Sequence, residues 1–170
     1  MGRLIFVTGG ARSGKSAFAQ KLANNLSKKV TYIATAQARD KEMELRIKIH
    51  RKNRPSRWKT VEREKNVTEV LSRIAEKNEV ILLDCLTLLI SNLLLSGEKK
   101  ILKEIRQLVD EVKRVKATVL IVSNEVGMGI VPDNRLARRF RDTAGRANQI
   151  VAQAADEVYL VVSGISTKIK

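Results

Sequence analysis

The chain has 170 residues, of which 44% are hydrophobic and 30% are charged. This length and composition exclude a disordered chain and favour one globular domain over two. Thirty-three Lys and Arg against eighteen Asp and Glu give a formal net charge of +15, which favours phosphate-rich partners. Aromatic residues make up only 4% of the chain, which argues against a stacking surface for single-stranded nucleic acid. We therefore expect no nucleic-acid partner.

No apolar stretch approaches the roughly twenty residues that a membrane-spanning helix needs. The opening sequence, MGRLIFVTGG, also lacks the organisation of a secretory signal peptide. The single cysteine, Cys85, has no partner for an internal disulfide, which fits a reducing compartment. The sequence therefore predicts a cytoplasmic protein without a membrane span.

Short apolar runs alternate along the chain with longer segments of helical period. In chain order they predict strands at 4–8, 30–34, 80–84, 118–123 and 157–162, and helices near 15–27, 40–52, 66–77, 86–96, 99–115 and 133–154. Runs such as VILLD and TVLIVS are typical of strands buried on both faces of a parallel sheet. We therefore predict an α/β fold, a three-layer domain over residues 1–170 whose mostly parallel sheet is flanked by helices. Residues 51–65 are the one candidate for a long excursion from the core.

A phosphate-binding motif follows the first predicted strand and opens the first helix. Residues 9–16, GGARSGKS, fit the P-loop pattern G-x-x-x-x-G-K-[ST], with Gly9, Gly14, Lys15 and Ser16 at the specified positions. The glycines let backbone N–H groups face phosphate oxygens, and the helix N-terminus adds its positive dipole end. Lys15 can reach the β and γ phosphates, while the Ser16 hydroxyl can ligate Mg²⁺. The domain is therefore predicted to be P-loop NTPase-like and to bind a nucleotide.

The only histidine of the chain, His50, lies inside the basic segment RIKIHRKNRPSRW, which follows the second predicted strand. A neutral imidazole can attack an α-phosphorus, and the resulting phosphoramidate can pass the nucleotide to another phosphate. Nearby cations would neutralise charge on the departing pyrophosphate. The alternative is a surface histidine on a basic helix. In the same segment, Trp58 either stacks on a base or fills a gap beside the core.

Asp84 closes the third predicted strand, VILLD. A P-loop works with an acidic residue at the end of a neighbouring strand, where the carboxylate holds Mg²⁺ directly or through water. The alternative is that Asp84 caps the following helix, which begins DCLTLL. Beside a P-loop we favour a magnesium site formed by Ser16 and Asp84. Cys85 is interpreted as a small core residue rather than a nucleophile.

The segment NEVGMGIVP follows the fourth predicted strand and is expected at the same edge of the sheet. Asn124 and Glu125 have two interpretations that the sequence leaves equal. They contact the substrate or water near Mg²⁺, or they belong to a structural loop whose glycines allow an unusual turn.

Five stretches together resemble one family: GGARSGKS, YIATAQ, RIKIHRKNRPSRW, VSNEVGMGIVPDNRLARRFRDTAGRANQ and ADEVYLVVSG. They look like the bifunctional adenosylcobinamide kinases and adenosylcobinamide-phosphate guanylyltransferases of cobalamin biosynthesis, and the resemblance runs nearly end to end. It implies two reactions. A nucleoside triphosphate phosphorylates adenosylcobinamide, and GTP then donates GMP to that phosphate through a guanylylated histidine, giving adenosylcobinamide-GDP.

The resemblance also implies site residues, with His50 as the guanylylated histidine, Lys15 as the second catalytic residue, and Mg²⁺ on Ser16 and Asp84. Contacts to GTP or ATP are implied at Gly9, Gly10, Ala11, Arg12, Ser13, Gly14, Lys15, Ser16, Ala34, Thr35, Ala36, Arg51, Lys52, Asn53, Arg54, Glu62 and Asp84. We hypothesise that the Glu62 carboxylate accepts from both N–H groups of a guanine edge. Adenosylcobinamide and its phosphate are the implied substrates, and a homo-oligomer, a trimer, is the implied assembly.

Two other functions compete with this interpretation. A plain P-loop kinase of a small metabolite would phosphorylate a hydroxyl without any covalent nucleotide. A basic nucleic-acid-dependent ATPase would bind polynucleotide with steep salt dependence even without Lys15. Neither alternative accounts for both HRKNRP and NEVGMGIVP.

Overall fold

A computed structural model of the chain describes residues 2–38, 40–52, 54–75 and 80–170, with the backbone alone at Arg46. In chain order its elements are β1 (Arg3–Gly9), α1 (Lys15–Leu26), β2 (Val30–Ala34), α2 (Lys41–Lys52), β3 (Lys59–Glu62), α3 (Val67–Ile74), β4 (Val80–Asp84), α4 (Leu86–Leu95), α5 (Ile101–Arg114), β5 (Thr118–Asn124), α6 (Arg135–Ala154), β6 (Glu157–Val162) and β7 (Ile165–Lys168). The strands form one seven-stranded sheet in the order β3-β2-β4-β5-β1-β6-β7. Neighbouring strands are parallel except for β6 and β7, so the predicted mostly parallel sheet is confirmed.

The predicted elements agree with the structure in the central strands, and two edge strands were not predicted. β3 and β7 are four residues each and mostly exposed, and three of the four residues in each are polar, so they lack the apolar run that marks a buried strand. β3 also changes the interpretation of residues 51–65, because 59–62 return to the sheet and pair with β2. The predicted helix at 66–77 contains α3, and its end at 76–77 lies outside the described residues.

Successive side chains of the central strands point to opposite faces of the sheet, and both faces are covered. One face packs Leu4, Phe6, Ile33, Leu83, Val119 and Ile121 against α3, α4, α5 and α6. The other packs Ile5, Val7, Tyr32, Leu82, Leu120 and Val122 against α1 and Trp58. The Trp58 side chain therefore fills the gap between the 54–58 segment and the sheet, the second of its two predicted roles. Burial on both faces explains why these strands are mostly apolar, with only small polar side chains such as Thr31 and Ser123 buried among them.

The carboxyl ends of the parallel strands meet at one edge of the sheet. In the strand register, Gly9 lies opposite Asn124, and Asp84 lies opposite Ala34 on one side and Val122 on the other. Strand β5 thus lies between β1, which leads into the P-loop, and β4, which ends at Asp84. In open α/β sheets ligands bind at such an edge.

None of the helices in the described part of the chain is both long enough and apolar enough to cross a membrane.

Candidate active site

A cleft of about 830 Å³ opens at the carboxyl edge of the sheet. Its lining combines the P-loop, the ends of four strands and one side of α2. The predicted site residues that line it are Ala11, Arg12, Gly14, Lys15, Ser16, Ala34, Ala36, His50, Arg54, Glu62 and Asp84. A volume of this size is typical of a site for a small molecule or cofactor.

The P-loop is shaped by close backbone packing on its sheet side. A Cβ atom on Gly9 would lie 2.3 Å from the carbonyl oxygen of Val161, so only glycine fits there. Gly14 has a φ of +92°, in the left-handed region that glycine adopts without steric cost. From the turn between β6 and β7, the Gly164 N–H donates a 2.8 Å hydrogen bond to the carbonyl oxygen of Ser13. Gly9, Gly10 and Ser13 therefore shape the loop, while residues 11–12 and 14–16 face the cleft.

Lys15 begins α1 with its side chain turned back over the loop. The residue is only 7% exposed, and its ammonium donates a 2.9 Å hydrogen bond to the carbonyl oxygen of Gly10. Burial lowers the pKa of Lys15, whereas the neighbouring Cys85 and Asp84 raise it. Phosphate oxygens entering the loop would offer this ammonium a charged acceptor in place of the neutral carbonyl.

The Asp84 carboxylate is oriented by a buried tyrosine. The Tyr32 hydroxyl donates a 2.9 Å hydrogen bond to Asp84 Oδ2. Burial, followed by the charge of Asp84, raises the pKa of Tyr32 far above its ordinary value, so the hydroxyl remains a donor. The N-cap position of α4 is occupied by Cys85, which excludes the alternative that Asp84 caps this helix. Asp84 is therefore available to a ligand in the cleft.

Thr35 has a structural role and does not line the cleft. Its buried hydroxyl donates to the carbonyl oxygen of Cys85 at 2.7 Å and accepts from the Cys85 N–H at 2.8 Å. These two bonds join the segment after β2 to the segment after β4. Of the predicted contacts at 34–36, only Ala34 and Ala36 line the cleft.

His50 lies in the last turn of α2 and is exposed at the cleft. Glu62, at the end of β3, lines the same cleft and forms an exposed ion pair with Arg51. Such an ion pair contributes about 0–1 kcal/mol, so a ligand can replace it at small cost.

Of the other predicted contacts of this segment that the structure describes, only Arg54 lines the cleft. The Arg54 guanidinium stacks 3.6 Å from the centroid of the Tyr32 ring. Arg51 lines a smaller pocket next to the cleft, Lys52 is exposed at the end of α2, and Asn53 lies outside the described residues.

The oxygen donors at the cleft fit Mg²⁺. Within residues 2–38, 40–52, 54–75 and 80–170, no group of three or more His, Cys, Asp or Glu side chains could hold a metal ion. Mg²⁺ does not need such a cage, because it usually takes one or two protein oxygens and completes its shell with phosphate oxygens and water. Ser16 and Asp84, which both line the cleft, provide that kind of donor set.

Cys85 is expected to be unreactive in the folded chain. The residue is 5% exposed, and burial raises the pKa of its thiol to about 12. Because the thiolate is the reactive form, its fraction at pH 8 is only about one in ten thousand. We expect a disulfide reagent such as 5,5′-dithiobis(2-nitrobenzoate) to leave the native chain unmodified and to modify one thiol per chain in denaturant. Rapid stoichiometric modification of the native chain would contradict this assignment.

Three side chains that shape the cleft were not identified from the sequence. Tyr32 lies in the fully buried strand β2, Thr87 in the apolar first turn of α4, and Asn148 in the middle of α6. None of the three belongs to a local motif that would mark it as part of a site. Only their placement at the ends of β4 and β5 reveals their contacts.

Comparisons with known proteins agree on a family. Residues 5–169 match the family profile described as "Cobinamide kinase / cobinamide phosphate guanyltransferase". The chain is 49% identical to the bifunctional adenosylcobalamin biosynthesis protein CobU of Escherichia coli, over 98% of this chain and 99% of that protein. It is 41% identical to the bifunctional adenosylcobalamin biosynthesis protein CobP of Pseudomonas aeruginosa, over 96% and 95% of the two chains.

Among solved structures, the RadB recombinase shares the fold with a TM-score of 0.55 and 12% sequence identity, over 93% of this chain and 73% of that one. At this identity the similarity supports the α/β fold alone. The fold class, the family and the two enzymatic activities predicted from the sequence are thus confirmed. The chain belongs to the family of bifunctional cobinamide kinases and cobinamide phosphate guanyltransferases.

Proposed function

We propose that the single cleft described above carries out both reactions of the family, with the P-loop holding the triphosphate and His50 carrying GMP. The observation that supports this most is the lining of the cleft. Lys15, Asp84 and His50 come from three distant parts of the sequence and line the same cavity. A phosphate-binding loop and a nucleophile in one cavity suit a nucleotidyl transfer as well as a phosphoryl transfer.

In the first reaction, the hydroxyl oxygen of adenosylcobinamide attacks the γ-phosphorus of the nucleoside triphosphate. The bond from the γ-phosphorus to the β-phosphate oxygen breaks, the nucleoside diphosphate leaves with the electron pair, and the hydroxyl proton passes to solvent. Lys15 and the backbone N–H groups of the P-loop stabilise the charge that accumulates on the phosphate oxygens. Ser16 and Asp84 would hold Mg²⁺, which neutralises charge on the β and γ phosphates when bound.

In the second reaction, an imidazole nitrogen of His50 attacks the α-phosphorus of GTP. The bond from the α-phosphorus to the β-phosphate oxygen breaks, and pyrophosphate leaves. An oxygen of adenosylcobinamide phosphate then attacks the same phosphorus, breaks the phosphorus–nitrogen bond and frees the imidazole, giving adenosylcobinamide-GDP. Exposure of His50 supports this role, because both the nucleotide and the large second substrate must reach it.

The covalent step is tested with GTP labelled at either the α or the γ phosphate, incubated with the purified chain and Mg²⁺. We expect α label on the denatured chain that is stable in base and labile in acid, and no γ label. Adenosylcobinamide phosphate should discharge the α label and appear as labelled adenosylcobinamide-GDP. A chain that phosphorylates adenosylcobinamide but never carries α label would favour the plain kinase.

Glu62 is proposed to select guanine. A carboxylate can accept from both N–H donors on the guanine edge, whereas the corresponding edge of adenine does not present the same pair of donors. We expect Glu62→Gln to reduce the GTP-to-ATP affinity ratio by about 10-fold or more. The reason is that the NH₂ group of glutamine would face one of the two N–H donors of guanine. Calorimetric titration with both nucleotides measures this ratio.

Glu69→Gln is the matched control, since Glu69 is also an exposed carboxylate paired with an arginine, but on α3 away from the cleft. An unchanged ratio in Glu62→Gln would exclude the role of Glu62 in guanine selection.

We also propose a cytoplasmic homotrimer, which the resemblance to the family implies. Large apolar side chains that are exposed in the isolated chain support an oligomer, among them Leu45 and Ile49 on α2 and Ile130 after β5. Cys85 as a buried free thiol is compatible with a reducing compartment. Sedimentation equilibrium measures the oligomeric state, and a monomer at micromolar concentration would contradict the trimer. Cell fractionation measures the location of the protein.

A further inference from the structure

The end of β5 occupies the position between the two phosphate-related elements of the cleft. β5 pairs with β1 on one side and with β4 on the other. In register, Asn124 lies directly beside Gly9, the first P-loop residue, and two positions beyond Val122, the partner of Asp84. Asn124 also lines the cleft. Asn124 therefore shares the cleft with Lys15 and Asp84 and lies on the strand between the two that carry the P-loop and Asp84.

The main chain at Asn124 is fixed by side chains from two helices. Its N–H donates a 2.6 Å hydrogen bond to the Thr87 hydroxyl of α4, and its carbonyl oxygen accepts a 3.1 Å bond from the Asn148 amide of α6. The next residue, Glu125, donates its N–H to the carbonyl oxygen of Gly9 at 2.9 Å. The end of β5 is thus tied to both helices and to the start of the P-loop.

The two helix side chains are themselves held by Ser123. The Ser123 hydroxyl donates to Asn148 Oδ1 at 2.7 Å and lies 3.1 Å from the Thr87 hydroxyl. All three residues are buried. A buried polar network whose members satisfy one another is rigid, because breaking any one bond leaves an unpaired group away from water.

The Asn124 side chain takes no part in this network. Across the described ranges 2–38, 40–52, 54–75 and 80–170, no hydrogen bond involves its amide group. A structural asparagine would use that amide to hold the loop, but here Thr87, Asn148 and Gly9 hold the loop instead. The Asn124 amide is therefore a hydrogen-bond donor on a fixed main chain, and it can donate to a phosphate oxygen that enters the cleft.

We infer that Asn124 is a catalytic residue of the kinase step, whose side-chain amide donates a hydrogen bond to a γ-phosphate oxygen of the nucleoside triphosphate. The bond strengthens as the γ-phosphorus separates from the leaving diphosphate and joins the substrate hydroxyl oxygen, because negative charge develops on the oxygens around it. Thr87 is the positioning residue that sets the main chain of Asn124. This inference rests on the proposed function of the cleft, and of the two interpretations of Asn124 it adopts substrate contact.

A nucleoside diphosphate lacks the γ-phosphate, so nucleotide binding separates this role from a structural one. In Asn124→Ala we expect the affinity for guanosine 5′-(β,γ-imido)triphosphate to fall about 10-fold with Mg²⁺ present, while the affinity for GDP stays unchanged. The kcat for phosphorylation of adenosylcobinamide should fall about 100-fold, the usual effect of removing one such donor. Gln149→Ala, an exposed amide truncation on α6, is the control and should change none of these values.

The positioning role is tested with two substitutions of similar size. Thr87→Val removes the hydroxyl that accepts from the Asn124 N–H, and Thr87→Ser keeps it. We expect Thr87→Val to lower the triphosphate-to-diphosphate affinity ratio and kcat, and Thr87→Ser to retain most of both. Melting temperatures of all variants identify any loss of fold.

Equal losses for GDP and the triphosphate analogue in Asn124→Ala, or no loss for either, would overturn the inference and leave Asn124 as part of a structural loop. A wild-type chain that binds both nucleotides but never phosphorylates adenosylcobinamide would instead overturn the proposed function. The affinity ratio in Asn124→Ala would still report on the γ-phosphate contact, so the two failures are distinguishable.

Discussion

Replacement of His50 by alanine is expected to abolish covalent GMP and to lower formation of adenosylcobinamide-GDP by at least about 1,000-fold, as the loss of a nucleophile does. Phosphorylation of adenosylcobinamide should stay within about twofold of the wild-type rate, because a residue outside the transition state of a step does not change its barrier. His50 is exposed in the last turn of α2, so its truncation leaves the core intact. Parallel assays with α-labelled and γ-labelled GTP measure both reactions.

Lys48→Ala is the matched control, since Lys48 is exposed on the same helix and does not line the cleft. It should retain both reactions. Base-stable α label that persists on His50→Ala would locate the covalent nucleotide on another residue and return His50 to the basic surface of α2.

Replacement of Lys15 by methionine is expected to lower both reactions, each by about 100-fold to 1,000-fold. The reason is the proposed single cleft, which Lys15 lines. In that arrangement the same ammonium stabilises charge on the γ-phosphate in one reaction and on the departing pyrophosphate in the other. Methionine keeps the apolar stem that packs in the loop, and the fold should be retained. Single-turnover rates of phosphoryl and GMP transfer measure the two effects.

Lys21→Met is the control, because Lys21 is an exposed lysine further along α1. Its rates should equal those of the wild type. Should Lys15→Met lose only phosphoryl transfer and keep normal GMP transfer, the two reactions would have separate triphosphate sites, and the single-cleft proposal would be wrong.

The sequence predicts the central part of the fold because burial on both faces leaves an unmistakable apolar run. Strands β2 and β4, which are buried almost throughout, begin and end at the predicted residues. Strand β6 also does so, although only two of its six residues are buried. Strands β3 and β7, at the two edges of the sheet, are only four residues long and largely exposed, and their pairing depends on neighbours that no local pattern reveals.

The residues of the candidate site also fall into two groups, those that a local motif reveals and those that only the fold reveals. Groups carried by a local motif were located from the sequence, including Lys15 in the P-loop and Asp84 after its strand. The contacts of Thr87 and Asn148 were not, since they exist only because the chain inserts β5 between β1 and β4. Strand order is a property of the whole fold, and periodicity in a short window does not encode it.

The central position of β1 has a consequence for how the protein is made. β1 leaves the ribosome before the other strands of this sheet, yet both of its partners, β5 and β6, belong to residues 118–162. At typical rates of translation the apolar segment LIFV therefore remains without a strand partner for on the order of 10 s. A nascent chain that stalls before residue 118 therefore lacks both strand partners of β1, and its apolar first strand is exposed to aggregation.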